Sequence, residues 1–320
     1  MRTEVTKILN LKRFFQIVES NKQNIIYKLE KPSIILMKNI HTNWLVSILS
    51  KTHKHFPVFL NNKFTQNKER NIPFGFISDS QLESTEDEVF KYNLEEVPKE
   101  KYMLQFNLIV PEQDSMQYFI QWQRYRKFWW SSITTTPSLF SIGDIRNGSN
   151  TSEVNIVAKF PWGPETVETL NMKPNHSIAE NTTHLSCAIS AEKALLTLFL
   201  DGQSNSTKEG YLRLHRKMAP FKISFALDEA SKNKDTLKEL ASLLHGRLAK
   251  NKISTWIPDF TLTADNQLKE NLQMGVAYTA VLSEDTLNNG IFHLLNSSTM
   301  LKEQVHVADF DAYAALIFEN

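Results

Sequence analysis

The sequence predicts two domains of mixed class: an α+β domain over residues 1–212 and a smaller α/β domain over residues 213–320. Three observations predict this. The chain has 320 residues, long for a single hydrophobic core. A polar stretch, "GQSNSTKEG" at 202–210, separates two parts of different texture. Beyond it, strand patterns alternate with helical ones, which favours a sheet with mostly parallel strands.

The elements follow in chain order. "MRTEVTKILNLKRFFQI" mixes cations with apolar residues at roughly helical spacing. It reads either as an amphipathic mitochondrial leader, which Glu4 spoils, or as the first helix of the fold. "SIILMKNI" reads as an apolar strand and "NWLVSILSKTHKHF" as a helix. Pro73, Gly75 and an acidic run mark a turn and solvated loop in "NIPFGFISDSQLESTEDE". "KYMLQFNLIV" is a strand ended by Pro111. "LSCAISAEKALLTLFLDG" runs from a short strand into a buried helix. In the second part, "FKISFALD", "ISTWIPDF", "VAYTAVLS" and "GIFHLL" read as strands. "NQLKENLQMG" and "DFDAYAALIF" read as helices. Leucines at 237, 240, 243, 244 and 248 give "TLKELASLLHGRLAKN" the i, i+3, i+4 stripe of an amphipathic helix.

The stretch "FIQWQRYRKFWW" at 119–130 could be a base-stacking platform or a core helix. At 100° per residue, Tyr118, Phe119, Trp122, Tyr125, Trp129 and Trp130 share one arc. Arg126 falls in that arc, where it can stack on a ring. Arg124, Lys127 and Phe128 point the other way. A nucleic-acid platform would put rings and cations together. Here they mostly separate, so a core helix with a basic outer edge is expected.

Composition excludes several classes. With 41% apolar and 22% charged residues the chain is an ordinary globular protein. No window approaches 18 uninterrupted apolar residues, so no membrane span is expected. Cys187 is the single cysteine, which rules out an intrachain disulfide and a cysteine-based zinc site. "HKH" at 53–55 has no second cluster to complete a metal site. "GDIRNGSN" lacks the Lys-Ser/Thr of a P-loop, and GxGxxG and GxSxG are missing. The pair Glu95–Glu96 sits in a polar loop. No catalytic residue, metal or cofactor is expected, and a binding role is favoured over an enzyme. Charge is unevenly spread. Residues 1–70 carry 13 Lys/Arg against 4 Asp/Glu, and residues 213–252 carry 10 against 4. Residues 71–120 and 253–320 are acidic by the same count. Such segments can fold into basic and acidic faces. Weak, salt-sensitive duplex DNA binding is expected from the basic ones, with Arg213, Arg216 and Lys217 as candidates.

Residues 215–320 resemble the anticodon-binding domain of class II aminoacyl-tRNA synthetases. The blocks that carry it are "MAPFKISFALD", "LAKNKISTWIPDF" and "DNQLKENLQMGVAYTAVLSEDTLNNGIFHLLN". Four further blocks resemble the accessory-subunit family of mitochondrial DNA polymerase gamma, which descends from such a synthetase. They are "QWQRYRKFWWSSITTTPSLFS", "KFPWGPETVETL", "LRLHRKMAPFKISFALD" and "EDTLNNGIFHLLNSSTMLKEQVH". The resemblance implies a degenerate synthetase-like domain with an antiparallel sheet, then an anticodon-binding-like domain with a mixed sheet. It implies a processivity subunit, without enzymatic activity, in the mitochondrial matrix and nucleoid. The partners implied are the polymerase catalytic subunit and primer-template DNA.

The arginines with which a synthetase grips ATP phosphates have no counterparts. None lies between Arg70 and Arg124, or between Arg146 and Arg213. Guanidinium forks are hard to replace in phosphate recognition. A divergent synthetase or a tRNA-binding protein stays open as the alternative. About 70 residues precede "IPFGFIS", too few for the helical insertion by which vertebrate members dimerise, so a monomer forming a heterodimer is expected. The family's polymerase contact implies docking through Thr286, Leu287, Asn289, Gly290, Ile291 and Leu294. "SEDTLNNG" reads there as a turn, with Leu287, Ile291 and Leu294 as apolar surface. Gly290→Glu is then expected to abolish docking without unfolding the domain.

Overall fold

The computed structural model describes residues 2–60, 71–79, 88–93, 101–175, 181–205 and 211–318. The chain divides into two compact units, Met1–Leu198 and Phe199–Asn320.

The first unit is built on an eight-stranded sheet. Its path runs Val58–Phe59, Phe74–Asp79, Met103–Pro111, Thr182–Ser190, Gly163–Pro174, Ser152–Phe160 and Phe140–Ile142, with Arg146–Asn147 also pairing Ser152–Phe160. Pairing is antiparallel except between the first two strands. A second, three-stranded antiparallel sheet joins Phe15–Ser20, Asn24–Leu29 and Val89–Asn93.

The tryptophan helix Ser115–Ile133 covers one face of the large sheet. Trp122 meets Phe106 at 4.5 Å and Trp130 stacks on Phe140 at 5.3 Å. The expected phase holds. Phe119, Trp122, Arg126, Trp129 and Trp130 are buried, while Arg124, Lys127 and Phe128 are exposed. Beside it lies the helix Lys31–Thr52. Trp129 Nε1 donates to Asn43 Oδ1 at 2.9 Å, and Arg126 Nη1 donates to Ser47 Oγ at 3.2 Å.

One strand reading is corrected in this unit, and one of two open readings is met. "SIILMKNI" is not a strand. It is the first half of Lys31–Thr52, which opens with Pro32 in its first turn. Leu36, Met37 and Ile40 are fully buried, so the run is apolar because this half of the helix is buried nearly all round. The N-terminal segment forms the helix Arg2–Leu9, and Val5, Ile8 and Leu9 are fully buried. It belongs to the core.

The second unit carries a five-stranded sheet ordered Thr255–Trp256, Ile223–Leu227, Tyr278–Leu282, Ile291–Asn296, Lys302–His306. Ile223–Leu227 runs parallel to both neighbours, and the remaining pairs are antiparallel. The sheet is therefore mixed rather than mostly parallel. The reason is the link after Tyr278–Leu282: a helix of six residues, Glu284–Asn289, is too short for a parallel crossover. The helices Lys234–Lys250, Ala264–Gln273 and Phe310–Phe318 complete the unit. Amides bind helix to strand: Asn271 Oδ1 accepts from Ser224 Oγ, and Gln267 Oε1 accepts from the Leu227 N–H, both at 2.8 Å. Of the polar stretch 202–210, Gly202–Ser204 close the helix Ala191–Ser204, and residues 206–210 lie outside the described residues.

Candidate functional site

The segment expected to dock a partner is not a turn. Glu284–Asn289 is a short helix whose start is fixed when the Thr286 hydroxyl accepts from the Ser283 N–H at 3.1 Å. Gly290 ends it in the left-handed conformation, φ +76°, with its N–H on the Thr286 carbonyl at 3.1 Å. The Gly290 carbonyl accepts from the Val307 N–H at 2.8 Å, and Asn289 Oδ1 accepts from the Ile291 N–H at 2.9 Å. The six candidate residues thus sit in one helix–cap–strand segment, but in different roles. Asn289 is exposed, and Leu287, Gly290 and Ile291 are half-buried. Thr286 and Leu294 are buried, Leu294 at 1% exposure. Leu294 offers no surface because strand alternation turns it into the core with Phe292. A Cβ on Gly290 would stand 2.5 Å from His306 Nε2. The expectation that Gly290→Glu leaves the fold intact is corrected on that ground: the residue would meet both a left-handed φ and the His306 ring.

The basic candidates lie just before the first strand of the second unit. Arg216 and Lys217 are exposed, whereas Arg213 is half-buried with its Nε enclosed and without a hydrogen-bond partner among the described residues. Arg216 and Lys217 lie in a turn. The His215 carbonyl accepts from the Met218 and Ala219 N–H groups at 2.8 and 3.0 Å, and His215 Nδ1 accepts from the Lys217 N–H at 3.3 Å. Lys222 braces the turn from inside, donating from Nζ to the Arg216 and Lys217 carbonyls at 2.7 and 2.8 Å. Burial pushes the Lys222 ammonium down to about 8. Burial, then Lys217, Arg216 and Lys222, push His215 down to about 4, so at neutral pH it is an uncharged acceptor. The sequence showed the cations but not this brace, which spans five residues and uses carbonyls rather than side chains.

In the first unit, Phe76, Ser78, Gln105, Asn107 and His184 gather on neighbouring strands of the large sheet. Asn107 Oδ1 pairs with His184 Nε2 at 2.9 Å and accepts from Gln105 Nε2 at 3.0 Å, and its Nδ2 donates to Ser78 Oγ at 3.2 Å. His184 stacks on Phe76 at 6.3 Å, and burial pushes its imidazole down to about 4. This cluster is uncharged and satisfies itself. Among the described strands of that sheet the one arginine is Arg146, exposed and 3.8 Å from Glu153. Cys187 is enclosed, and burial pushes its thiol up, out of the range of a nucleophile. Glu95 and Glu96 lie outside the described residues. Among the described residues no three His, Cys, Asp or Glu side chains could share a metal, and no helix is long and apolar enough to cross a membrane.

No protein-family profile matches the sequence. Curated relatives do. The chain is 26% identical over 229 residues to DNA polymerase subunit gamma-2 of Mus musculus, covering 62% of this chain and 49% of that protein. It is 26% identical over 239 residues to the mitochondrial DNA polymerase subunit gamma-2 of Drosophila melanogaster, covering 67% and 66%. It therefore spans about half the length of the mouse relative it matches. Among solved structures, a prolyl-tRNA synthetase from Cryptosporidium parvum superposes with a TM-score of 0.69 at 9% identity, covering 98% of this chain and 76% of that one. The likeness fixes the fold as that of a class II aminoacyl-tRNA synthetase, as the sequence blocks imply. The accessory-subunit resemblance is likewise borne out by the names of the curated relatives.

Proposed function

We propose that the chain is a non-catalytic accessory subunit of a mitochondrial DNA polymerase gamma, acting in the matrix and nucleoid. The observation that carries the reading is the set of relatives. Proteins of mouse, frog, cow and fly matching 58–67% of this chain all bear the name DNA polymerase subunit gamma-2, and the frog and fly names add mitochondrial. The uncharged, self-paired face built on Asn107 and His184 supports a role without ATP activation, since phosphate recognition relies on guanidinium forks.

The subunit docks as a monomer on the catalytic subunit to form a heterodimer. Leu287, Asn289 and Ile291 make the contact, held in place by Thr286, Gly290 and Leu294. Arg216 and Lys217 grip the phosphates of primer-template DNA, with Arg213 at the base of their turn. No reaction is required. A subunit that binds the DNA-engaged polymerase better than the free one slows its release by that difference in affinity.

Co-purification with the catalytic subunit and primer extension test the reading. The chain is expected to lengthen products made per binding event, and to show no amino-acid-dependent ATP–pyrophosphate exchange. Leu287→Glu, a helix-compatible change at a half-exposed site, is expected to keep the melting temperature and lose co-purification. A folded Leu287→Glu protein that still stimulates the polymerase at wild-type concentration rules out this docking surface.

A further inference from the structure

A cleft of about 370 Å³ opens in the first unit, between the end of the helix Lys31–Thr52 and the start of the tryptophan helix. Its walls carry rings: Phe56, Tyr118, Trp122 and Tyr125. Phe56 meets Tyr118 edge-on at 6.2 Å, and Trp122 meets Tyr125 edge-on at 5.7 Å. Its rim carries a cation and an imidazole. Lys51 Nζ stands 5.3 Å from the centre of the Tyr125 ring, and His55 lies beside it. Gln117 and Gln121 supply amides, and Gln121 Nε2 donates to the Tyr125 hydroxyl at 2.7 Å. A second cleft of about 500 Å³ continues past His55 and Phe56, with His53 and Lys54 on its edge. Rings and cations separate along most of the tryptophan helix, but at this end they converge, because the neighbouring helix brings its own basic turn to them.

We propose that these joined clefts bind single-stranded nucleic acid, one base lying against Tyr118 and Tyr125 with its phosphates on Lys51, Lys54 and His55. Each feature matches that ligand. A cleft of this size admits a nucleotide. Aromatic walls accept any base face, and a basic rim tracks the backbone. Asp114 in the same lining repels phosphate and can accept from a base N–H. Burial and Asp114 raise the Tyr118 phenol above its ordinary value, so it stays a neutral donor. Continuity across His55 and Phe56 favours a strand over a lone nucleotide. An acidic peptide would satisfy the cations but leave the ring walls and amides unused.

The site does not depend on the polymerase reading, so it is tested on the chain alone. A fluorescein-labelled oligothymidylate is titrated with the protein by anisotropy at low salt. Binding is expected, and Lys51→Glu/Lys54→Glu is expected to weaken it tenfold or more, as loss of phosphate contacts predicts. Tyr118→Ala is expected to weaken it about tenfold and Tyr118→Phe less than twofold, because the ring does the stacking. Photo-crosslinking the unaltered protein to an iododeoxyuridine strand is expected to mark Tyr118 or Tyr125, a readout free of any folding defect. Three results overturn the site: no binding by the wild-type chain, an unchanged affinity in folded Lys51→Glu/Lys54→Glu, or cross-links confined to other peptides. Loss with the lysines but not with Tyr118→Ala reduces the clefts to a plain basic patch and overturns the proposal too.

Discussion

Arg126 in the first unit and Lys222 in the second are both cations withdrawn from water, and their partners differ in kind. Arg126 Nε sits 2.6 Å from Glu168 Oε1, both side chains almost wholly enclosed. The other oxygen, Glu168 Oε2, accepts from Trp130 Nε1 at 2.7 Å, and the guanidinium lies 4.4 Å from the centre of the Trp129 ring. Among the described residues Lys222 has no carboxylate on it: its ammonium is held by the carbonyls of Arg216 and Lys217. A full counter-charge fixes one site into the core between a helix and a sheet. Backbone dipoles fix the other, and they leave the side chains of Arg216 and Lys217 outside and unspent. The first arrangement stiffens a scaffold. The second presents charge.

The sharpest way to break this contrast is to remove one counter-charge. Glu168→Gln leaves Arg126 buried without its anion, and stability is expected to fall by roughly 3–5 kcal/mol in chemical denaturation. Arg126→Met/Glu168→Gln keeps an acceptor for Trp130 and removes the stranded charge, so much of the loss is expected to return. If the single and double variants are equally unstable, the pair is not what holds the helix.

Lys222 predicts a smaller effect, with a definite sign. Below pH 8 both folded and unfolded chains hold this proton, and the burial penalty is present in full. Between about 8 and the ordinary 10.5 the folded chain gives it up first. The unfolded state then binds more protons, so stability rises with pH across that window. Measured as wild type minus Lys222→Met, the rise is expected to be about 1–3 kcal/mol. Parallel curves for the two proteins would show that the carbonyls compensate the charge fully.

Arg216→Glu/Lys217→Glu is expected to do least to the fold, within about 0.5 kcal/mol. Its effect is on duplex DNA: weaker binding, and a log–log salt slope reduced by roughly 2. An unchanged slope would show that these cations are merely solvated.

Much of this was legible. The phase of the tryptophan helix placed Arg126 among the rings, and it stacks on Trp129. Its anion was not legible, because Glu168 lies 42 residues away on a strand of the sheet. The leucine stripe over 237–248 buries Leu237, Leu244 and Leu248, yet Leu243 is 59% exposed, since five leucines make a stripe wider than one face. "SIILMKNI" misled because an unbroken apolar run has no period by which to separate a buried helix from a strand. The strand Phe15–Ser20 begins inside the segment read as a first helix, and Asn24–Leu29 carried no strand signal that was read. In the candidate docking segment, residue types suggested a turn, and the Ser283–Thr286 bond made a helix of it. The Tyr118 cleft needed two helices at once, so no single stretch of sequence displays it.

The left-handed cap at Gly290 has a practical consequence for anyone reading variation in this chain. The His306 ring fills the place a side chain would take, and His306 belongs to the edge strand. Codon 290 should therefore register as intolerant in any selection for solubility alone, with the polymerase absent from the cell. Asn289, one position earlier and exposed, should tolerate change in that selection and lose it only when DNA synthesis is what is scored. A substitution at 290 would report on folding yield, and one at 289 on the proposed partnership.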